Sequence, residues 1–266
     1  MKHKKQVHMV GNAHIDPVWL WQWQEGFQEI KATFRSALDR MNEYDEWIFT
    51  CSSAAFYEWV EQNDPAMFNE VRSRVAEGRW VLAGGWWVQS DCNLPCGESF
   101  VRQALLGQRY FVRTFGKIAR TGYNVDSFGH HGMLPQILQK SGCDNYVFMR
   151  PMPSEKALPA RVFHWQSSDG SSVKAFRIPY EYCTWPKELS QHIERCANEI
   201  ADPINDVMCF FGVGNHGGGP TKENIESIFS LRQNKTPYDL VFSTPDQFFA
   251  KVEEVEEKLP CYQGEY

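Results

Sequence analysis

The sequence predicts an α/β protein built on a parallel sheet of seven strands, and three observations point there. Short β-like runs alternate with longer amphipathic stretches of helical period. Glycine or proline marks most junctions, as at Glu77-Gly78, Phe115-Gly116 and Ser141-Gly142. Parallel strands need long crossovers, and strand–helix units of this size supply them. The strands are expected at 6–13, 46–51, 79–85, 117–125, 144–150, 172–178 and 206–213. The helices are expected at 24–43, 53–77, 99–115, 132–141, 186–201, 221–233 and 245–257. The last of these starts at Thr244-Pro245-Asp246, with threonine as cap and proline as first helical residue. An open doubly wound sheet and a closed barrel both fit the pattern. No internal repeat or low-complexity linker interrupts it, so residues 1–266 read as one domain.

Composition narrows the function. Hydrophobic residues at 42% and charged residues at 23% are enough for a packed core. The formal net charge is −6, and the one basic run, Lys2-His3-Lys4-Lys5, is short and terminal, so a nucleic-acid partner is not expected. That run is followed by a short apolar strand rather than a signal-peptide core. No segment approaches about 18 uninterrupted apolar residues, so no membrane partner is expected. The eight cysteines contain no Cys-x-x-Cys pair and lie mostly in apolar segments, which favours a reduced, cytoplasmic protein over a thiolate zinc knuckle. Ten tryptophans crowd into stretches such as Trp19, Trp21 and Trp23, or Trp80, Trp86 and Trp87. Their apolar faces and N–H edges suit a core with polar rims, and they suit a sugar.

In parallel α/β folds, reactive groups gather at the carboxyl ends of strands. After the first strand comes Gly11-Asn12-Ala13-His14-Ile15-Asp16-Pro17-Val18-Trp19. His14 and Asp16, two apart in extended chain, leave the same side and offer the mixed nitrogen and oxygen donors that zinc accepts. After the fourth strand, Asp126-Ser127-Phe128-Gly129-His130-His131 turns tightly into a helix. After the seventh, Gly214-Asn215-His216-Gly217-Gly218-Gly219-Pro220 could bring backbone amides close to a ligand, but it lacks the Lys and Ser/Thr of a phosphate-binding loop.

Taken together, His14-x-Asp16-Pro17-x-Trp19, Gly85-Trp86 with Asp91, Asp126-x-Phe128-Gly129-His130 and Arg150 resemble glycoside hydrolase family 38, the retaining α-mannosidases. Asn93-Leu94-Pro95-x-Gly97-Glu98 and the Asn215-His216-Gly-Gly-Gly-Pro loop resemble its microbial branch. The resemblance implies an irregular seven-stranded parallel (β/α) barrel. It also implies zinc as cofactor, with His14, Asp16 and Asp126 as ligands, and Asp126 as nucleophile. Trp19 would be a stacking platform for the sugar, and Arg150 would lie beside the nucleophile. Asp91 and Tyr182, with Tyr180 more loosely, would approach the substrate. The metal suits manno-configured sugars because one ion can chelate their cis 2- and 3-hydroxyls.

Two departures accompany the resemblance. Where several animal members carry an acidic acid/base in a Gly-x-Asp loop, this chain reads Gly214-Asn215-His216, so His216 takes that position as acid/base or substrate contact, with Asp91 and Glu181 as alternatives. The family's last zinc-ligating histidine lies well downstream of the motifs present. The chain is therefore expected to be the N-terminal part of a longer, multidomain and sometimes oligomeric protein. Two other readings stand beside this one. A zinc-dependent carbohydrate deacetylase would normally use two histidines on one helical turn, whereas His130 and His131 are adjacent. A non-catalytic carbohydrate- or metal-binding barrel is the other.

Overall fold

The computed structural model describes residues 4–214 and 216–266, which places Lys2, His3 and Asn215 outside the described residues. Ten strands form: β1 (Lys5–Asn12), β2 (Phe49–Cys51), β3 (Trp80–Leu82), β4 (Thr121–Asn124), β5 (Asn145–Phe148), β6 (Val162–Gln166), β7 (Ser172–Arg177), β8 (Asp206–Phe211), β9 (Tyr238–Phe242) and β10 (Cys261–Gln263). Eight α-helices accompany them: α1 (Trp23–Glu43), α2 (Ala54–Asn63), α3 (Pro65–Ala76), α4 (Gly97–Phe115), α5 (Leu134–Lys140), α6 (Leu189–Asn198), α7 (Lys222–Gln233) and α8 (Pro245–Glu253). The chain partitions into two compact units, one of residues 4–51, Phe56–Val81 and Glu181–Lys251, the other of Ser52–Ala55, Leu82–Tyr180 and Val252–Tyr266.

The first unit is organised by β1, whose Val7, Met9 and Val10 are fully buried. Gly11 is opposite Phe211 of β8 and also opposite Phe49 of β2, so these two strands lie on opposite edges of β1. β9 shares the β2 edge, running beside Lys5–Met9. All three pairings are parallel. The aromatic core of this unit keeps its polar edges satisfied: the buried Trp80 Nε1–H donates to Tyr57 Oη at 2.9 Å, and that hydroxyl donates to the Cys51 carbonyl at 3.0 Å.

The second unit carries a sheet in the order β10-β6-β7-β5-β4. β6 and β7 are antiparallel, while the other three pairings are parallel. Its core joins Trp86, Phe100, Tyr146, Phe148, Phe163, Trp165 and Tyr266. Here too a buried indole finds a partner, Trp165 Nε1–H donating to the Gly264 carbonyl at 2.8 Å.

The α/β class and all seven expected strands are present, but the expected seven-stranded, all-parallel ring is not. Among the described residues, ten strands fall into two sheets, neither of which closes on itself. The antiparallel pair explains part of the difference. Asp169-Gly170 makes a tight reversal, with Gly170 at φ +87 and its N–H donating to the Ser167 carbonyl at 3.0 Å, so β6 returns directly as β7 without a crossover. The expected helix over 53–77 is two helices. Asp64 accepts from the Met67 N–H at 3.2 Å and Pro65 follows, which stops α2 and caps α3. Thr244 caps α8 as expected, its hydroxyl accepting from the Gln247 N–H at 3.0 Å while the Gln247 side chain accepts from the Thr244 N–H at 3.1 Å. No helix among the described residues is long and apolar enough to cross a membrane.

Candidate active site

Beyond β1 the chain bends at Pro17 and is braced from behind by α1. A Cβ on Gly26 would fall 2.1 Å from the Pro17 carbonyl oxygen, so only glycine lets the helix approach this closely. In the turn itself, His14 is buried and its Nε2 lies 3.2 Å from Asp16 Oδ1. Two donors each about 2.1 Å from one tetrahedral zinc ion sit roughly 3.4 Å apart, so this pair has the spacing and the nitrogen–oxygen chemistry of adjacent ligands. Tyr182, also buried, packs edge-on against the His14 ring at 5.3 Å, and its carbonyl accepts from Asn12 Nδ2 at 2.8 Å. Its ring therefore supports the candidate ligand.

The tryptophans of this turn divide their work. Trp19 is 65% exposed and meets Trp21 edge to face at 5.5 Å, which leaves an open aromatic surface for a ligand ring. Trp21 turns inward, and its Nε1–H donates to the Asp16 carbonyl at 3.0 Å. The Trp21 ring also stacks flat on His216, with centroids 3.7 Å apart and planes 4° from parallel. Ile15 and His216 form an antiparallel bridge, and His216 Nε2 lies 3.8 Å from Glu25 Oε1. One indole thus joins the Asp16 backbone to the glycine-rich loop. The loop itself is a pinched hairpin: Val213 and Gly219 exchange both backbone hydrogen bonds, at 2.9 and 2.8 Å, and the Gly218 N–H donates to Thr33 Oγ1 at 2.8 Å. These amides are engaged within the loop and by α1.

In the second unit the fourth strand delivers Asp126. Arg150, just after β5, donates from Nε to Asp126 Oδ1 at 3.0 Å, and its guanidinium lies 4.9 Å over the exposed Phe128 ring. Beneath that pair is a buried polar scaffold. His130 is fully buried, with Nε2 2.8 Å from the Arg150 carbonyl and Nδ1 2.8 Å from Tyr146 Oη. A carbonyl only accepts, so Nε2 carries the proton and Nδ1 accepts from the tyrosine. Burial pushes the His130 pKa down to about 4, the neutral form this bonding requires. The His130 backbone exchanges hydrogen bonds with Tyr266. The Ser127 hydroxyl accepts from the Cys92 N–H at 2.9 Å and donates to the Gly129 carbonyl at 3.2 Å. Asp91, exposed in this unit, takes the N–H groups of Asn93 and Leu94 on Oδ1, each at 2.8 Å, and so shapes its own turn.

The structure therefore gathers His14, Asp16, Tyr182, Trp19 and His216 in the first unit, and Asp126, Arg150 and Asp91 in the second. Trp21 bonds the backbone of Asp16 and His130 the backbone of Arg150, contacts that the sequence did not foretell. Trp21 stood in a recognised aromatic run and His130 in a recognised motif, but neither carried a sign of what it would touch.

The model of the glycosyl hydrolases family 38 N-terminal domain matches residues 4–265. Alpha-mannosidase G of Dictyostelium discoideum is 33% identical over 98% of this chain and 24% of its own length. Alpha-mannosidase 2C1 of Homo sapiens is 31% identical over 97% of this chain and 25% of its own length. An alpha-mannosidase from Enterococcus faecalis V583, known from its crystal structure, superposes with a TM-score of 0.84 at 21% identity, covering 98% of this chain and 31% of that one. The chain thus spans about a quarter of the length of these curated relatives. With a match running from residue 4 to residue 265, the chain belongs to the glycosyl hydrolases of family 38, as their N-terminal domain.

Proposed function

We propose that this chain supplies the catalytic domain of a zinc-dependent α-mannosidase, which cleaves α-mannosidic bonds in glycans or small mannosides with retention of configuration. The observation that carries the reading is the Asp126–Arg150 pair. A carboxylate at a strand's carboxyl end is oriented by a guanidinium at 3.0 Å, and the backbone of that arginine is held by His130. A retaining glycosidase needs such a fixed carboxylate to attack the anomeric carbon while an acid protonates the leaving oxygen; water then hydrolyses the glycosyl ester.

In this reading Asp126 is the nucleophile, and His216 is the proton donor or a sugar contact. Trp19 stacks against the sugar, and Asp91 and Tyr182 approach its hydroxyls. His14, Asp16 and Asp126 are the donors that would hold zinc, a reading supported by the nitrogen–oxygen chemistry of the set and the 3.2 Å spacing of the first two. Bound there, the ion would grip the cis 2- and 3-hydroxyls of mannose and favour the flattened transition state. Polypeptide beyond residue 266 would supply a further ligand and further domains, which the much greater length of the relatives supports. A cytoplasmic setting belongs to the same reading, supported by the scatter of cysteines through apolar segments.

The test is Asp126→Asn in the full-length polypeptide, assayed on an aryl α-mannoside. We expect kcat to fall roughly 10⁴-fold or more. Surviving turnover would remove Asp126 as nucleophile. A wild type that binds mannose but never turns over would instead make this a binding domain.

A further inference from the structure

We propose that His192, Cys196 and Cys209 form a second metal site, for a thiophilic divalent ion such as zinc or cadmium, within the first unit and apart from the strand-end residues. His192 and Cys196 are four residues apart on α6, so they share one face of the helix. Cys209 lies in β8 opposite Met9 of β1, two residues before the strand ends at Phe211. The three donor atoms all lie within 4.8 Å of one another, and His192 Nε2 is 3.7 Å from Cys196 Sγ. An ion at about 2.3 Å from sulfur and 2.0–2.1 Å from nitrogen sets its ligands roughly 3.4–3.8 Å apart, so the cluster needs only a small contraction to close on one.

Charge selects the ion. His192 is 5% exposed and both cysteines are 0% exposed, so whatever enters must leave the cluster close to neutral. A divalent cation, two thiolates and a neutral imidazole sum to zero, whereas a monovalent ion would leave a buried negative charge. Thiolate and imidazole together suit zinc or cadmium better than magnesium or calcium. Binding exchanges one ion for two thiol protons released to solvent. His192 Nε2–H now points at the Phe210 carbonyl, 3.2 Å away, so its proton moves to Nδ1 as Nε2 takes the metal.

Cobalt(II) titration of the 266-residue chain tests this, because thiolate-bound cobalt has a near-ultraviolet charge-transfer band that oxygen and imidazole donors do not give. We expect the band in wild type and in Asp126→Ala, and its loss in Cys196→Ala and Cys209→Ala. Far-ultraviolet circular dichroism checks that each variant is folded. If Cys209→Ala fails that check, His192→Gln and Cys196→Ala on the helix carry the test. Absence of the band in wild type at saturating cobalt, or its persistence in the folded variants, overturns the site.

Discussion

The ends of β1 and β4 each carry a carboxylate of the candidate site, a metal donor at one and a nucleophile at the other in the proposed reading, and the two are held in opposite ways. At β4 the support is buried and polar: Asp126 is bonded to Arg150, whose carbonyl is bonded to His130, which in turn takes the Tyr146 hydroxyl. At β1 the support is aromatic and partly exposed, with Trp21 against the Asp16 carbonyl and His216, and Tyr182 edge-on to His14. A group that forms a covalent bond needs its direction fixed before substrate arrives, and hydrogen bonds fix direction. Metal donors need only be close, because the ion imposes the final geometry. The contrast matches the roles of nucleophile and donor pair proposed above.

The sharpest way to break the comparison is His130→Ala. It leaves the Tyr146 hydroxyl and Arg150 carbonyl buried without their partner, and we expect a loss on the order of 3 kcal/mol or more, read as a lower urea midpoint at unchanged slope. The same residue governs acid stability. Its folded pKa of about 4 lies below the ordinary 6.5, so the unfolded chain binds more protons between those values. Stability is therefore fully present above about pH 6.5 and falls as pH drops towards 4; the slope in that window should flatten in the variant. A polar scaffold that proved dispensable by both measures would erase the distinction between the two strand ends.

A smaller effect is expected from Trp21→Phe, which keeps an aromatic face for His216 but removes the N–H bonded to the Asp16 carbonyl. Zinc affinity at the strand-end donors should weaken by about tenfold, the lower end of the range for residues that orient ligands, and Trp21→Ala should weaken it further. Equal loss in both variants would mean that the indole N–H contributes nothing. The smallest change is Thr244→Ala, which removes the side-chain cap of α8. About 1 kcal/mol of stability should be lost, with zinc affinity unchanged, which sets the scale for a purely structural substitution.

The elements most legible in the sequence were those with strong local signals. Helix α1 appears within a residue of its expected span, and the Thr244 cap could be read from three letters. The break between α2 and α3 was also written locally, in Asp64-Pro65, but the helical period runs through it and masked the stop. The Asp169-Gly170 turn announced a hairpin, yet β6 went unread because the expectation of crossovers favoured parallel neighbours. The candidate site was legible as residue types at strand ends. Its supports were not, since His130 meets Tyr146 only after β4 and β5 pair; likewise, Cys209 of the separate cluster meets His192 only after α6 packs on β8. Such contacts are set by topology, and a single sequence carries no local trace of them.

The pairing of β1 has a consequence for how the protein is made. Gln6 must find Asp206, and Lys5 must find Tyr238, so two of the strand's three partners, β8 and β9, leave the ribosome some 200 residues after it does, and only the Gly11–Asn12 end meets β2 early. At roughly 5–20 residues per second, that is a delay on the order of 10–40 s, during which an apolar strand waits with open edges. Newly made chains should accordingly depend on chaperone shelter, and the residues at the end of β1 should be among the last parts of the first unit to acquire their final arrangement.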